Sequence, residues 1–343
     1  MQHKRPISAV ILSLLVVLIT ATACSTTPID QASSSAASAT LRNGPQTAVL
    51  PDRDVTPVTT NPKVTLPVTV PSVGHPDVTV TDASRIIAVD RNGTLGNIVF
   101  SLGLGSHVVG RDQSTTFPSA QKLPVVTGNG HELNAESVLA LNPSVVLVDQ
   151  ATTPPQAVDQ LRSSSIAVVT FTSARTLAST PDLIRSVAAT LGVKPAGEAL
   201  VTRTTKQIEA AKSAVPHPSG DPTMAFLYIR GPRLVLLAGP KSGADDLFTA
   251  LGGKDAGTAA GLTGQFTAVT AEALLRANPD VIVVMTQGAE SVGGLDGVLN
   301  LPGVADTEAG RARRVVQMDE TEVLSFGPDV GEVLTSLAHA IYA

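Results

Sequence analysis

A fourteen-residue pattern occurs twice in the chain, and it limits the folds open to it. Residues 135–148 read AESVLALNPSVVLV and residues 271–284 read AEALLRANPDVIVV, aligned without gaps 136 positions apart. Each copy reads as a helix, an Asn-Pro stop and a short apolar strand. Proline cannot continue a helix and restrains the residue before it. A run of four apolar residues without alternation suits a strand buried on both faces, as in a parallel sheet covered by helices. A repeated helix, stop and buried strand implies two related α/β lobes.

The remaining pattern extends this. In a first lobe, residues 83–180, strands are expected near 85–90, 108–112, 145–148 and 166–170, with helices at 94–104, 135–141 and 156–162. Residues 181–220 form connecting helices: 181–191, punctuated by Gly192, then a long helix from Pro195 to about Ala214, stopped by Pro216. Leu200, Ile208, Ala211 and Val215 line one side of it. A second lobe, 221–343, has strands near 224–229, 234–237, 281–284 and 315–318, helices at 245–251 and 271–277, and a closing helix at 330–342. The fold class is α/β: two Rossmann-like lobes with central, mostly parallel sheets, joined by one long interlobe helix, with a ligand cleft between them. One stiff helix as the connection implies only modest opening and closing.

Composition narrows the function. Charged residues make up 15% and the net charge is −5, which argues against a nucleic-acid surface. With no Trp and two Tyr, the cores must be Val, Leu, Ile and Ala, and each tyrosine becomes conspicuous.

The single cysteine, Cys24, excludes an intramolecular disulfide framework. It follows a positive start (Lys4, Arg5), an apolar run over residues 7–19 and the small residues Ala21–Ala23. Residues 1–23 read as a signal peptide, and the run is short for a bilayer span. From Ser25 to about Asp82 the chain is rich in Ser, Thr, Ala, Pro and Val. Residues 24–82 are expected to be an anchor and flexible tether, with an arm packed on the first lobe as the alternative for part of it.

Cysteine directly after a small-residue site resembles a bacterial lipobox, which implies acylation of Cys24 and attachment to the outer face of the cell membrane. The body, about residues 85–342, resembles the substrate-binding proteins of ABC importers for cobalamin, siderophores and haem. The resemblance rests on the opening strand, the two Ala-Glu…Asn-Pro segments and the interlobe helix. It implies that one glutamate on each lobe, Glu136 and Glu272, docks into the permease subunits. A carboxylate in a helix's first turn is also favoured by the helix dipole alone.

Four segments narrow the resemblance to the haem-binding branch of actinobacterial haem uptake: TGNGHELNAE (127–136), FLYIRG (226–231), KSGAD (241–245) and GGKDA (252–256). It implies that His131 and Tyr228, from opposite lobes, are the axial iron ligands of haem b, carried as Fe(III), and that Arg230 hydrogen-bonds the tyrosine oxygen. The chemistry is consistent: phenolate is a hard anionic ligand for ferric iron, imidazole suits the opposite face, and a nearby cation favours the phenolate. Residues i and i+2 of an extended segment point the same way, so Arg230 can lie beside Tyr228. Arg111, Ser114 and Thr115, after a strand, and Lys241 and Ser242, at a helix start, are candidate propionate partners.

Other readings compete. A zinc or manganese carrier needs convergent His and carboxylate ligands. His3, His75, His217 and His339 are badly placed for that, which leaves His107 and His131. A ferric siderophore or cobalamin is the serious alternative cargo, although such clefts are usually richer in Trp, Tyr and Arg. A secreted hydrolase would need a nucleophile elbow, and no Gly-x-Ser-x-Gly occurs. The chain is therefore expected to be a monomeric carrier rather than an enzyme.

Overall fold

The computed structural model describes residues 40–128, 130–216 and 220–343. Its first elements come from the presumed tether: β1 (Gln46–Thr47), β2 (Val68–Ser72) and β3 (His75–Val80). The first lobe follows with β4 (Ile86–Val89), α1 (Thr94–Ser101), β5 (Val108–Arg111), α2 (Ala135–Ala140), β6 (Val145–Asp149), α3 (Pro155–Ser163), β7 (Ala167–Phe171) and α4 (Thr180–Thr190). Its sheet has the order β5-β4-β6-β7 and every pairing is parallel. All residues of β4 and β6 are buried, because helices cover both faces.

The helix α5 (Lys194–Ala214) joins the lobes. Ala196, Leu200 and Val201 pack into the first lobe's core with Ile184 and Val187 of α4. Ile208, Ala211 and Val215, at its other end, join the second lobe's core. The second lobe begins with β8 (Thr223–Ile229), β9 (Val235–Ala238), α6 (Ala244–Ala250), β10 (Lys254–Asp255), α7 (Ala256–Ala259), β11 (Phe266–Ala268), α8 (Ala271–Ala277) and β12 (Val281–Met285). It ends with α9 (Thr286–Glu290), α10 (Gly294–Leu299), α11 (Glu308–Arg311), β13 (Val315–Met318), α12 (Glu320–Val323) and α13 (Val330–Ile341). Strands β1, β13, β12 and β8 are parallel neighbours in that order, and β9 and β11 continue the sheet antiparallel.

The expectation of a flexible tether reaching Asp82 is corrected from Thr40 onward, and the arm packs on both lobes. Strand β1 extends the second sheet, pairing Gln46 with Val316 and Thr47 with Gln317. Arg53 then reaches Asp319 at 3.0 Å in the second lobe, while Asp54 accepts the Ser119 amide at 3.0 Å in the first. The β2–β3 hairpin grips β7: the Val73 amide donates to the Thr170 carbonyl and the Thr170 amide to Ser72 Oγ. Val68, Val70, Val78 and Val80 alternate with polar residues and turn toward the core; Val80 is fully buried. Short period-two runs separated by prolines had concealed β2 and β3, which pair antiparallel with each other, while β1 finds its partner in the edge of β13.

A buried seam fixes the lobes against each other. Thr94, Thr180 and Thr204 donate to the carbonyls of Ser325, Phe326 and Pro328 at 2.6, 2.9 and 3.1 Å. Asn92 donates to the Leu324 carbonyl and Asn97 to the Asp329 carboxylate. Since the three threonines are buried, each hydroxyl must find an acceptor within the protein.

Helix α13 crosses α5 so closely that a Cβ on Gly331 would lie 2.6 Å from the Gln207 carbonyl carbon. In most helix interiors, Gly→Ala is stabilising. Here Gly331→Ala should cost about 1–3 kcal/mol through overpacking. Equilibrium denaturant unfolding measures it; an unchanged or raised midpoint would contradict this packing.

Candidate functional site

Ligand sites in open α/β sheets lie beyond the carboxyl ends of the parallel strands. In the second lobe, register aligns those ends. Val284 pairs with Leu227 and Met285 with Met318, so Tyr228, Met285 and Met318 form one row. Arg230, Gln287 and Glu320 lie two residues further on, at the mouth of the sheet. The Arg230 guanidinium sits 4.8 Å from the centre of the Tyr228 ring, a cation–π contact. Phe266 braces that ring edge-on at 6.0 Å. Glu320 accepts the Gln287 amide through Oε2 at 3.3 Å, while its Oε1 is buried without a hydrogen-bond partner. Burial raises the Glu320 pKa and Arg230 opposes that rise.

In the first lobe, the rim is built on buried carboxylates. Asp112 accepts the amides of Asp90, Ser114 and Thr115 at 3.0, 2.9 and 2.7 Å, which folds the loop after β5 onto the loop after β4. Burial, then the Asp90 charge, pushes Asp112 up to about 7. Burial and Asp90 likewise push Asp149 up to about 6, against the pull of Arg175 at 3.1 Å.

His131 stands on this platform. A tight turn, with the Gly128 amide donating to the Glu132 carbonyl and the His131 amide to the Gly128 carbonyl, holds it at φ +67°. Left-handed backbone at a non-glycine residue is uncommon and concentrates where a side chain must be aimed. Half-buried, the imidazole has its pKa lowered by burial first, then by Arg91 and by Arg230 of the opposite lobe; Glu132 and Asp90 oppose this. The field of Arg230 thus reaches the His131 ring across the cleft. A depressed pKa leaves the imidazole neutral near pH 7, with a lone pair free for a metal.

The other expected residues divide. Arg111 donates to the Asp112 carbonyl at 3.0 Å, and its Nε is buried without a partner. Ser114 and Thr115 are buried, and the Ser114 hydroxyl donates to the Arg91 carbonyl at 2.7 Å, so its hydrogen is not free for a propionate. The helix start at Lys241 and Ser242 is also largely occupied. Asp245 accepts the amides of Lys241 and Gly243, and Ser242 Oγ accepts that of Ala244. The expectation of free N–H groups for an anion is corrected there: the helix caps itself. The Lys241 side chain is exposed.

Glu136 and Glu272 occupy matching, exposed first-turn positions on α2 and α8. Each helix is capped alike, Asn134 accepting the Ser137 amide and Thr270 the Ala273 amide. Tyr342, the second tyrosine, is buried and donates to the Leu251 carbonyl; burial pushes it up to about 12. His107 bonds the Ala83 carbonyl. Cys24 lies outside the described residues. Arg91 and Glu320 were missed in the sequence. Both are charged residues just past a parallel strand, whereas Arg230 was named through the family resemblance.

A family model described as periplasmic binding protein matches residues 92–322. An uncharacterized ABC transporter substrate-binding lipoprotein, YvrC of Bacillus subtilis (strain 168), is 26% identical over 280 residues, 80% of this chain and 86% of that one. The crystal structure of heme binding protein HmuT superposes with a TM-score of 0.83 at 36% identity, covering 88% of this chain and 98% of that one. The periplasmic heme-binding protein RhuT from Roseiflexus sp. RS-1 gives 0.70 at 36% identity, covering 76% and 98%. BhuT, solved in complex with two hemes, gives 0.67 at 32% identity, covering 75% and 97%. With most of its length matched in sequence and fold, the chain belongs to the periplasmic binding protein family.

Proposed function

We infer that this protein is the extracytoplasmic haem carrier of an ABC importer, and that His131 and Tyr228 take the two axial faces of a ferric haem. The observation that carries this reading is the pairing of a neutral, strained-loop histidine on one lobe with a tyrosine under an arginine on the other. Arg230 lies over the Tyr228 ring, and phenolate and imidazole are a ligand set suited to ferric iron. The likeness to HmuT adds support. That protein has been solved with a single histidine, tyrosine or arginine replaced by alanine, the tyrosine and arginine two positions apart as Tyr228 and Arg230 are. Arg91, Arg111 and Lys241 supply positive charge for the propionates.

A binding-protein family does not support the hydrolase reading. A zinc or manganese cargo is disfavoured as well: among the described residues no three His, Cys, Asp or Glu side chains are grouped to hold an ion. No helix among the described residues is long and apolar enough to cross a membrane. The lipid at Cys24 is proposed as the anchor, in keeping with the lipoprotein from Bacillus subtilis. Glu136 and Glu272, one on each lobe, are proposed to dock a monomeric carrier on the permease.

Titration of the soluble body with hemin should give a six-coordinate histidine/tyrosinate absorption spectrum. Tyr228→Ala and His131→Ala should each change that spectrum and weaken binding at least tenfold. Failure to bind micromolar hemin, with tight binding of a ferric siderophore or cobalamin, would overturn the haem reading. For docking, Glu136→Ala with Glu272→Ala should leave the hemin spectrum intact and abolish most uptake in transport assays; unchanged uptake would remove their role.

A further inference from the structure

We propose that Ser114 is a positioning residue: its hydroxyl oxygen accepts the Nδ1 proton of His131, selects that tautomer and leaves Nε2 as the only ring atom able to bind iron. The case begins with hydrogen counting. A serine hydroxyl has one hydrogen and two lone pairs. Ser114 Oγ lies 2.7 Å from the Arg91 carbonyl, which can only accept, so the hydrogen is committed there. Oγ also lies 3.4 Å from Nδ1 of His131. Toward that nitrogen it has only a lone pair to offer. A neutral imidazole with its proton on Nε2 would set two lone pairs face to face, whereas the Nδ1–H form makes a hydrogen bond.

The oxygen cannot easily turn away, because Ser114 is almost fully buried, its amide is held and its carbonyl is packed closely on a neighbouring loop. Its amide donates to the Asp112 carboxylate, which also holds the Thr115 and Asp90 amides. Its carbonyl presses on Gly93, where a Cβ would sit 2.8 Å from it, so only glycine lets the two loops meet. His131 is the less buried partner, standing on a short turn. The 3.4 Å contact is long, and ligation would shorten it, since a metal on Nε2 makes Nδ1–H a stronger donor. Ser114 therefore belongs to the histidine rather than to a propionate.

The role toward iron rests on the haem reading; the tautomer does not. It is read without haem by two-dimensional ¹H–¹⁵N correlation of the imidazole in the soluble body at about pH 8, where the ring is neutral. His131 should show the Nδ1–H pattern. Ser114→Ala should move it to the Nε2–H form or a mixture, and Ser114→Thr, which keeps the hydroxyl, should retain the original pattern. An Nε2–H pattern in the unmodified protein, or no change in Ser114→Ala, would overturn the proposal. Hemin affinity should fall about tenfold in Ser114→Ala, at the lower end of second-sphere effects, and recover in Ser114→Thr. Unchanged affinity would remove the positioning role. Absence of hemin binding by the unmodified protein, with the tautomer as expected, would overturn only the haem reading and the iron-directed role.

Discussion

Everything at the cleft depends on the seam where buried threonines of the first lobe and of the connecting helix meet the carbonyls of residues 325–328 in the second lobe. The hydroxyls are buried and these carbonyls serve as their acceptors; a buried hydroxyl left without one costs about 1–3 kcal/mol. Such a joint resists sliding as well as opening. His131 and Tyr228 stand on different sheets, and their relation is set by this joint, by α5 packed into both cores and by the arm that touches both lobes. The arm and α5 are themselves joined, Arg203 donating to the Thr56 carbonyl.

Charge in the cleft is arranged by burial more than by pairing. The carboxylates of Asp90, Asp112 and Asp149 lie under the first lobe's rim and act as acceptors for backbone amides, shaping the three loops after β4, β5 and β6. Their surroundings raise Asp112 and Asp149, so this floor carries less negative charge than three ordinary carboxylates would. Above it, burial and then Arg91 and Arg230 lower the pKa of the imidazole. A flat dianionic ring with a ferric centre would meet cations at its edge and neutral or phenolate ligands at its faces.

Much of this was legible in the sequence, for identifiable reasons. Buried parallel strands announce themselves as unbroken apolar runs, and β4, β6, β8 and β12 fell where Ile86, Val145, Met224 and Val281 begin such runs. The connecting helix was bounded by Gly192 and Pro216, and it spans Lys194–Ala214. The arm was not legible, because a two-residue strand such as Gln46–Thr47 has no period of its own and exists only through the edge of β13. Nor was the self-capping at Lys241 and Ser242: that Asp245 would turn back on its own helix start is a matter of rotamer, not of spacing. Glu320 and Arg91 needed strand register before their place beside the cleft could be seen.

The most direct test of the account is a crystal structure of the hemin-loaded protein with anomalous data at the iron edge. The iron peak should fall between Nε2 of His131 and Oη of Tyr228, with Arg230 beside the phenolate and Ser114 within hydrogen-bond reach of Nδ1. An iron peak away from that pair, or a haem bound with either side chain turned from the metal, would contradict it.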